Sequence, residues 1–99
     1  MNKNPLDIIK ENDNELFSQI SACKSSAFAA GSISVKNKLL IGLAIDAVKG
    51  TVNGVKSFAQ QALAAGATKE EIFETLKVVY YITGVGSIYT AAQALDDLL

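Results

Sequence analysis

A chain of 99 residues with nine basic and ten acidic side chains, net −1 and without charge blocks, has room for one modest core; two domains are excluded and nucleic acid is not expected as a partner. Its hydrophobic share of 49% against 19% charged residues is high for so short a chain, so a lone copy would leave apolar helix faces in water and a homo-oligomer is expected to bury them. No histidine and a single cysteine, Cys23, remove the commonest general base, the commonest zinc ligand and any internal disulfide, and no metal or cofactor is expected.

Apolar residues recur at helical spacing almost throughout, which predicts an all-α, single-domain helical bundle of about five to six helices. Residues 1–13 are charged throughout and lack the apolar run of a secretory signal, so a cytoplasmic location is expected. The first helix is predicted from Pro5 through Leu6, Ile8 and Ile9 to the polar break Glu11-Asn12-Asp13. The second runs from Asn14 to about Ala30 along a stripe of Leu16, Phe17, Ile20, Cys23, Ala27 and Phe28, with Gly31 as its closing glycine. Ser34 caps the third, Val35 to Lys49, which is apolar on nearly every side and therefore central or interfacial. Its longest apolar stretch, Leu39 to Val48, is too short to span a bilayer and contains Asp46, so no membrane partner is expected.

Gly50 and Gly54 bracket a permissive opening before a fourth helix, Val55 to Ala65, ended by Gly66. Thr68-Lys69-Glu70-Glu71 has the form of a capping box, with Ala67 and Ile72 placed for a hydrophobic staple. The fifth helix continues through Phe73, Leu76, Val79, Tyr80 and Ile82 to Thr83-Gly84-Val85-Gly86. The last, from about Ser87, carries Ile88, Ala91, Ala92, Leu95 and Leu98.

Few polar residues sit where chemistry is possible. Asp46 interrupts the most apolar helix, where an unpaired carboxylate is costly. Either it faces a ligand pocket beneath the Gly50 to Gly54 opening, with Lys56 or Ser57, or it is paired with Lys49 or with a group of another subunit. Cys23 is either a one-cysteine redox residue or, on the apolar stripe with Ile20 and Ala27, a small hydrophobe. Tyr80, Tyr81 and Tyr89 lie near the Gly84-Val85-Gly86 turn, either lining a cavity or packed with their hydroxyls at its edge. The two glycines of that turn are not a phosphate loop, since no strand precedes them and no Lys-Ser/Thr follows.

The order Gly31-Ser32-Ile33-Ser34-Val35-Lys36, an apolar helix, then Gln61-Ala62-Leu63-Ala64-Ala65-Gly66-Ala67-Thr68-Lys69-Glu70-Glu71-Ile72 and Tyr80-Tyr81-Ile82-Thr83-Gly84 resembles the carboxymuconolactone decarboxylase and alkyl hydroperoxidase D superfamily. The resemblance runs from about Glu15 to Leu95. It implies that superfamily's helical fold and trimer-based assemblies, including hexamers. In redox-active members a Cys-x-x-Cys pair opens the helix that ends at the Ala-Gly-Ala, a His follows one turn on, and a Glu precedes them. The resemblance places those roles at Leu39 for the Glu, Thr51 and Gly54 for the thiols and Phe58 for the His, and none of these side chains suits its role. A dithiol peroxidase is therefore not expected. A lactone-decarboxylase-type lyase acting on a small organic acid or lactone remains open, with Asp46, Lys56, Tyr80 and Tyr89 as candidate catalytic residues. So does a non-catalytic ligand-binding or assembly module.

Overall fold

Asn4 and Asp13 start the first two helices by the same device: each side chain accepts a backbone N–H of the following turn, from Leu6 at 2.9 Å and from Leu16 at 3.0 Å. The computed structural model describes residues 4–99, and these two helices are α1 (Pro5–Asn12) and α2 (Asn14–Phe28). They pack on each other, Lys10 Nζ lies 5.5 Å from the centroid of the Phe17 ring, and no residue of either helix is buried. The pair joins the rest of the molecule chiefly where α2 meets α3. α2 ends on Ala29 in extended backbone rather than on a left-handed glycine, and Gly31 instead donates to the Ile33 carbonyl within the following turn.

Helices α3 (Val35–Lys49), α4 (Val52–Ala64), α5 (Lys69–Thr83) and α6 (Val85–Leu95) complete the all-α bundle and build its core. Leu43, Val55 and Ile72 are its largest fully enclosed side chains, each contributing about 1.5–3 kcal/mol by leaving water. Ala59 and Ala62 on α4 and Ala91 on α6 are equally enclosed, and such small side chains let helix backbones approach closely. Ser34 caps α3, accepting from the Asn37 amide at 3.1 Å. The expected capping box opens α5: Glu71 N donates to Thr68 Oγ1 at 3.1 Å and Thr68 N donates to Glu71 Oε1 at 2.9 Å. Glu71 also receives Lys36 Nζ at 2.7 Å, which ties the first turn of α5 to that of α3. Among the described residues no helix is long and apolar enough to cross a membrane.

The opening between α3 and α4 is shorter than the glycines suggest. Gly50 closes α3 in the left-handed region (φ 76°), Thr51 stands alone as the joint, and α4 begins at Val52 with Gly54 already inside it. α6 likewise starts at Val85 rather than near Ser87, directly after Gly84 at φ 91°. In both places one glycine completes the turn, so the second glycine is free to be helical.

Candidate functional site

Of the four positions matched to redox roles, apolar packing fills two, Leu39 and Phe58, while Gly54 lies against the Asp46 carboxylate and Thr51 is exposed at the α3–α4 joint. Leu39 is buried in the core and Phe58 packs against that core. The Phe58 ring lies across α3 so closely that a β-carbon on Gly42 would sit 2.7 Å from it. It also stacks on Phe28 of α2, centroids 5.7 Å apart and planes 27° from parallel. Only a hollow of about 130 Å³ remains there, walled by Lys24, Phe28, Val35, Leu39, Phe58 and Gln61.

Asp46 lies beneath the Gly50 to Gly54 opening, without Lys49 or Lys56 as an ion-pair partner among the described residues. Its carboxylate rests directly against Gly54, in the space where a side chain on that glycine would begin. Gly54 belongs to the first turn of α4, a turn with no acidic residue of its own and whose N-cap residue, Thr51, makes no side-chain capping bond. A carboxylate at this place complements the positive end of the helix dipole. Asp46 thus packs against the first turn of α4.

Lys56 reaches instead to Asp97, Nζ to Oδ2 at 2.7 Å, tying α4 to the chain just beyond α6. That hydrogen bond holds the Asp97 carboxyl below its ordinary value, against a weaker opposing effect of desolvation. Tyr89, 72% exposed, projects from α6 into solvent. Tyr80, 57% exposed, lies along a groove described below. Asp46, Lys56 and the tyrosines therefore occupy separate places and do not share one cavity. Cys23 is exposed rather than set in an apolar stripe, because α2 packs against the bundle at one edge only.

An open apolar groove lies between α5 and α6. It has a volume of about 330 Å³ and is walled by Phe73, Leu76, Lys77, Tyr80, Val85 and Ile88. A second hollow of about 270 Å³ shares Phe73, Leu76 and Ile88 and continues toward Lys69 and Asp96. Of its polar wall residues, Tyr80 was found by sequence and Lys77 was missed. The signal was present: Phe73, Lys77 and Tyr80 recur at four- and three-residue steps along α5, which places them on one face. Ile72, Leu76 and Val79 form the buried face of the same helix and direct attention to the core.

A third surface is apolar without being deep. Ile45 and Val48 of α3 and Val78 and Ile82 of α5 flank a hollow of about 160 Å³, and Val78 and Ile82 are 62% and 72% exposed.

The sequence profile of the carboxymuconolactone decarboxylase family matches residues 14–97. The chain belongs to that family. An uncharacterized protein of Methanocaldococcus jannaschii is 28% identical over 93 residues, covering 94% of this chain and 87% of its own length. The fold is similar to the apo crystal structure of a carboxymuconolactone decarboxylase family protein from Legionella pneumophila, with a TM-score of 0.86 and 30% identity over 92% of this chain and 81% of that one. Family membership fixes the scaffold; the chemistry depends on the residues this chain sets into it. Cys23 is the only thiol and the chain has no histidine, so this family member offers no dithiol and no imidazole base at the α3–α4 junction.

Proposed function

We propose that this carboxymuconolactone decarboxylase family protein is a homo-oligomer that binds a small organic molecule and does not carry out dithiol peroxidase chemistry. The observation that carries this reading is the filled junction: Phe58 lies on Gly42 and Asp46 on Gly54, where a redox pair would need space and thiols. A nucleophile needs a base within hydrogen-bond reach, and Thr51 has no such partner among the described residues. Self-association is supported by the apolar face of Ile45, Val48, Val78 and Ile82, which a second copy would remove from water. A trimer-based assembly or a hexamer is the form proposed.

Two measurements test this together. Light scattering on purified protein is expected to give a multiple of the chain mass, and peroxide consumption with a dithiol reductant is expected to match the protein-free rate. A monomer overturns the first half; turnover of peroxide that survives Cys23→Ser overturns the second, because it would need a redox site other than the one thiol.

One observation favours a second reading, a decarboxylase-type lyase. Lys77 and Tyr80 share one apolar groove, and an ammonium with a phenol can hold a carboxylate and deliver a proton. Carbon dioxide release from small lactone acids, abolished in Tyr80→Phe, would establish the lyase over the binding module. The Asp46→Asn protein is expected to keep any such activity, since Asp46 lies at the α3–α4 junction.

A further inference from the structure

We infer that the α1–α2 hairpin of one copy docks on the α5–α6 groove of a second copy. This names a contact for the self-association proposed above and rests on that reading; it competes with the lyase reading, which needs the same groove open to substrate.

The hairpin has little of its own bundle to hold it. α1 has eight residues and α2 fifteen, no residue of either is buried, and helices of such length draw most of their stability from packing an amphipathic face. Leu6 and Ile9 of α1 and Phe17 and Ile20 of α2 recur at three-residue steps and are only half-buried, while Ile8 and Leu16 beside them are 51% and 40% exposed. The seam between the two helices is therefore apolar and open to water. In its own copy the hairpin meets α3 and, through Phe28, the Phe58 ring of α4, and it is not packed on α5 or α6.

Two apolar surfaces of a second copy are open to receive it, and charge separates them. Residues 5–17 carry Asp7, Glu11, Asp13 and Glu15 against Lys10. The α3–α5 face shares Val78 with a hollow lined by Glu71 and Glu74, of which Lys36 neutralises only Glu71, so this face repels an acidic hairpin. The α5–α6 groove is lined by Lys77 and continues to Lys69 and Asp96, leaving it with the opposite charge. Its almost wholly apolar walls suit the apolar side of a helix laid along them. One chain thus carries both halves of the contact, and neither is satisfied within a copy. Hairpin on groove is a heterologous contact, which closes into a ring, and the α3–α5 face stays free for a two-fold contact between rings; the two contacts together build a trimer-based assembly.

The test uses the full chain with Cys23→Ser, so that only introduced thiols react. Protein carrying Ile8→Cys is refolded together with protein carrying Val85→Cys and treated with a short bis-maleimide. The expected product by mass spectrometry is one chain of each kind joined together, absent when either protein is treated alone and absent when Ile45→Cys replaces Val85→Cys. Lys69→Glu and Lys77→Glu are each expected to weaken association about fivefold, the ceiling for one exposed ion pair. Joining of Ile8→Cys to Ile45→Cys places the hairpin on the α3–α5 face and overturns the inference. So does a link closed within one chain when both Ile8→Cys and Val85→Cys are present, or association undiminished by both charge reversals. An oligomer that gives no Ile8–Val85 product overturns the hairpin contact alone, whereas a monomer by light scattering overturns self-association and this contact with it. Carbon dioxide release that depends on Tyr80 shows the groove open to substrate and overturns the inference in favour of the lyase.

Discussion

Gly42→Ala tests whether Phe58 really fills the α3–α4 junction, because two opposed effects meet at one β-carbon. In an open helix interior, alanine in place of glycine stabilises by about 1 kcal/mol. At Gly42 the added carbon would lie 2.7 Å from the Phe58 ring, so the ring must shift and disturb its stacking on Phe28. Forcing a carbon into a packed site costs about 1–3 kcal/mol. The net expectation is a loss of about 1 kcal/mol, which for a domain of this size lowers the melting temperature by about 4–8 °C. In a Phe58→Ala background the obstacle is gone and the same substitution should stabilise by about 1 kcal/mol. The double-mutant cycle should thus show coupling of about 2 kcal/mol and a change of sign. Urea unfolding followed by far-ultraviolet circular dichroism provides the measurement, with all four proteins at one concentration because self-association makes stability concentration-dependent. Stabilisation by Gly42→Ala in both backgrounds would place the Phe58 ring away from α3 and leave the junction open, and the case against a functional site there would fail.

Asp46→Asn should cost about 0.3–1 kcal/mol, the typical value of an anion at a helix N-terminus, and molar salt should shrink the difference; a neutral result would detach Asp46 from α4. Thr68→Ala should cost about 1 kcal/mol through loss of the cap, read from the urea midpoint. The Glu71 carboxyl is held below its ordinary value of 4.5, first by the hydrogen bond from Lys36 and then by the Thr68 amide. A carboxyl depressed in the folded state stabilises above the ordinary value, and that contribution is lost as pH falls through the folded value. Glu71→Gln should therefore flatten the acid limb of the stability profile below about pH 4.5 and change its shape little at neutral pH; an unaltered acid limb would refute the assignment.

What the sequence disclosed was governed by how local the determinant is. Thr68 and Glu71 satisfy each other across one turn, so the α5 start could be read from four letters, and the apolar periodicity gave the helices with it. Gly54 misled because a glycine reads as a break; its actual use is to admit the Asp46 carboxylate from another helix, a tertiary fact with no local signature. Asp46 was hard to read for the same reason: pairing rules within a helix offered Lys49, while the carboxylate lies against the first turn of α4. Lys77 was overlooked because the groove it lines is completed by Val85 and Ile88 of α6. Lys56 was grouped with Asp46 by proximity along the chain, and the bond to Asp97 spans most of the fold's second half.

Two of these residues, Gly54 and Asp46, meet at the first turn of α4. A thiolate at a helix N-terminus is stabilised by the dipole and the free amides of the first turn, and removing it leaves that turn short of an anion. Here Asp46 brings one from α3, and the fit requires Gly54, since any β-carbon at that position would strike the carboxylate. The glycine at position 54 and the placement of Asp46 are then one structural feature rather than two. It makes a specific demand: placing a cysteine at Gly54 should displace Asp46 and destabilise the fold unless Asp46 is shortened as well. Gly54→Cys alone should therefore be less stable than Gly54→Cys combined with Asp46→Ala, although the double variant lacks a native carboxylate. Equal or reversed stabilities, measured with the thiol kept reduced, would mean that the carboxylate and the glycine are neighbours by accident.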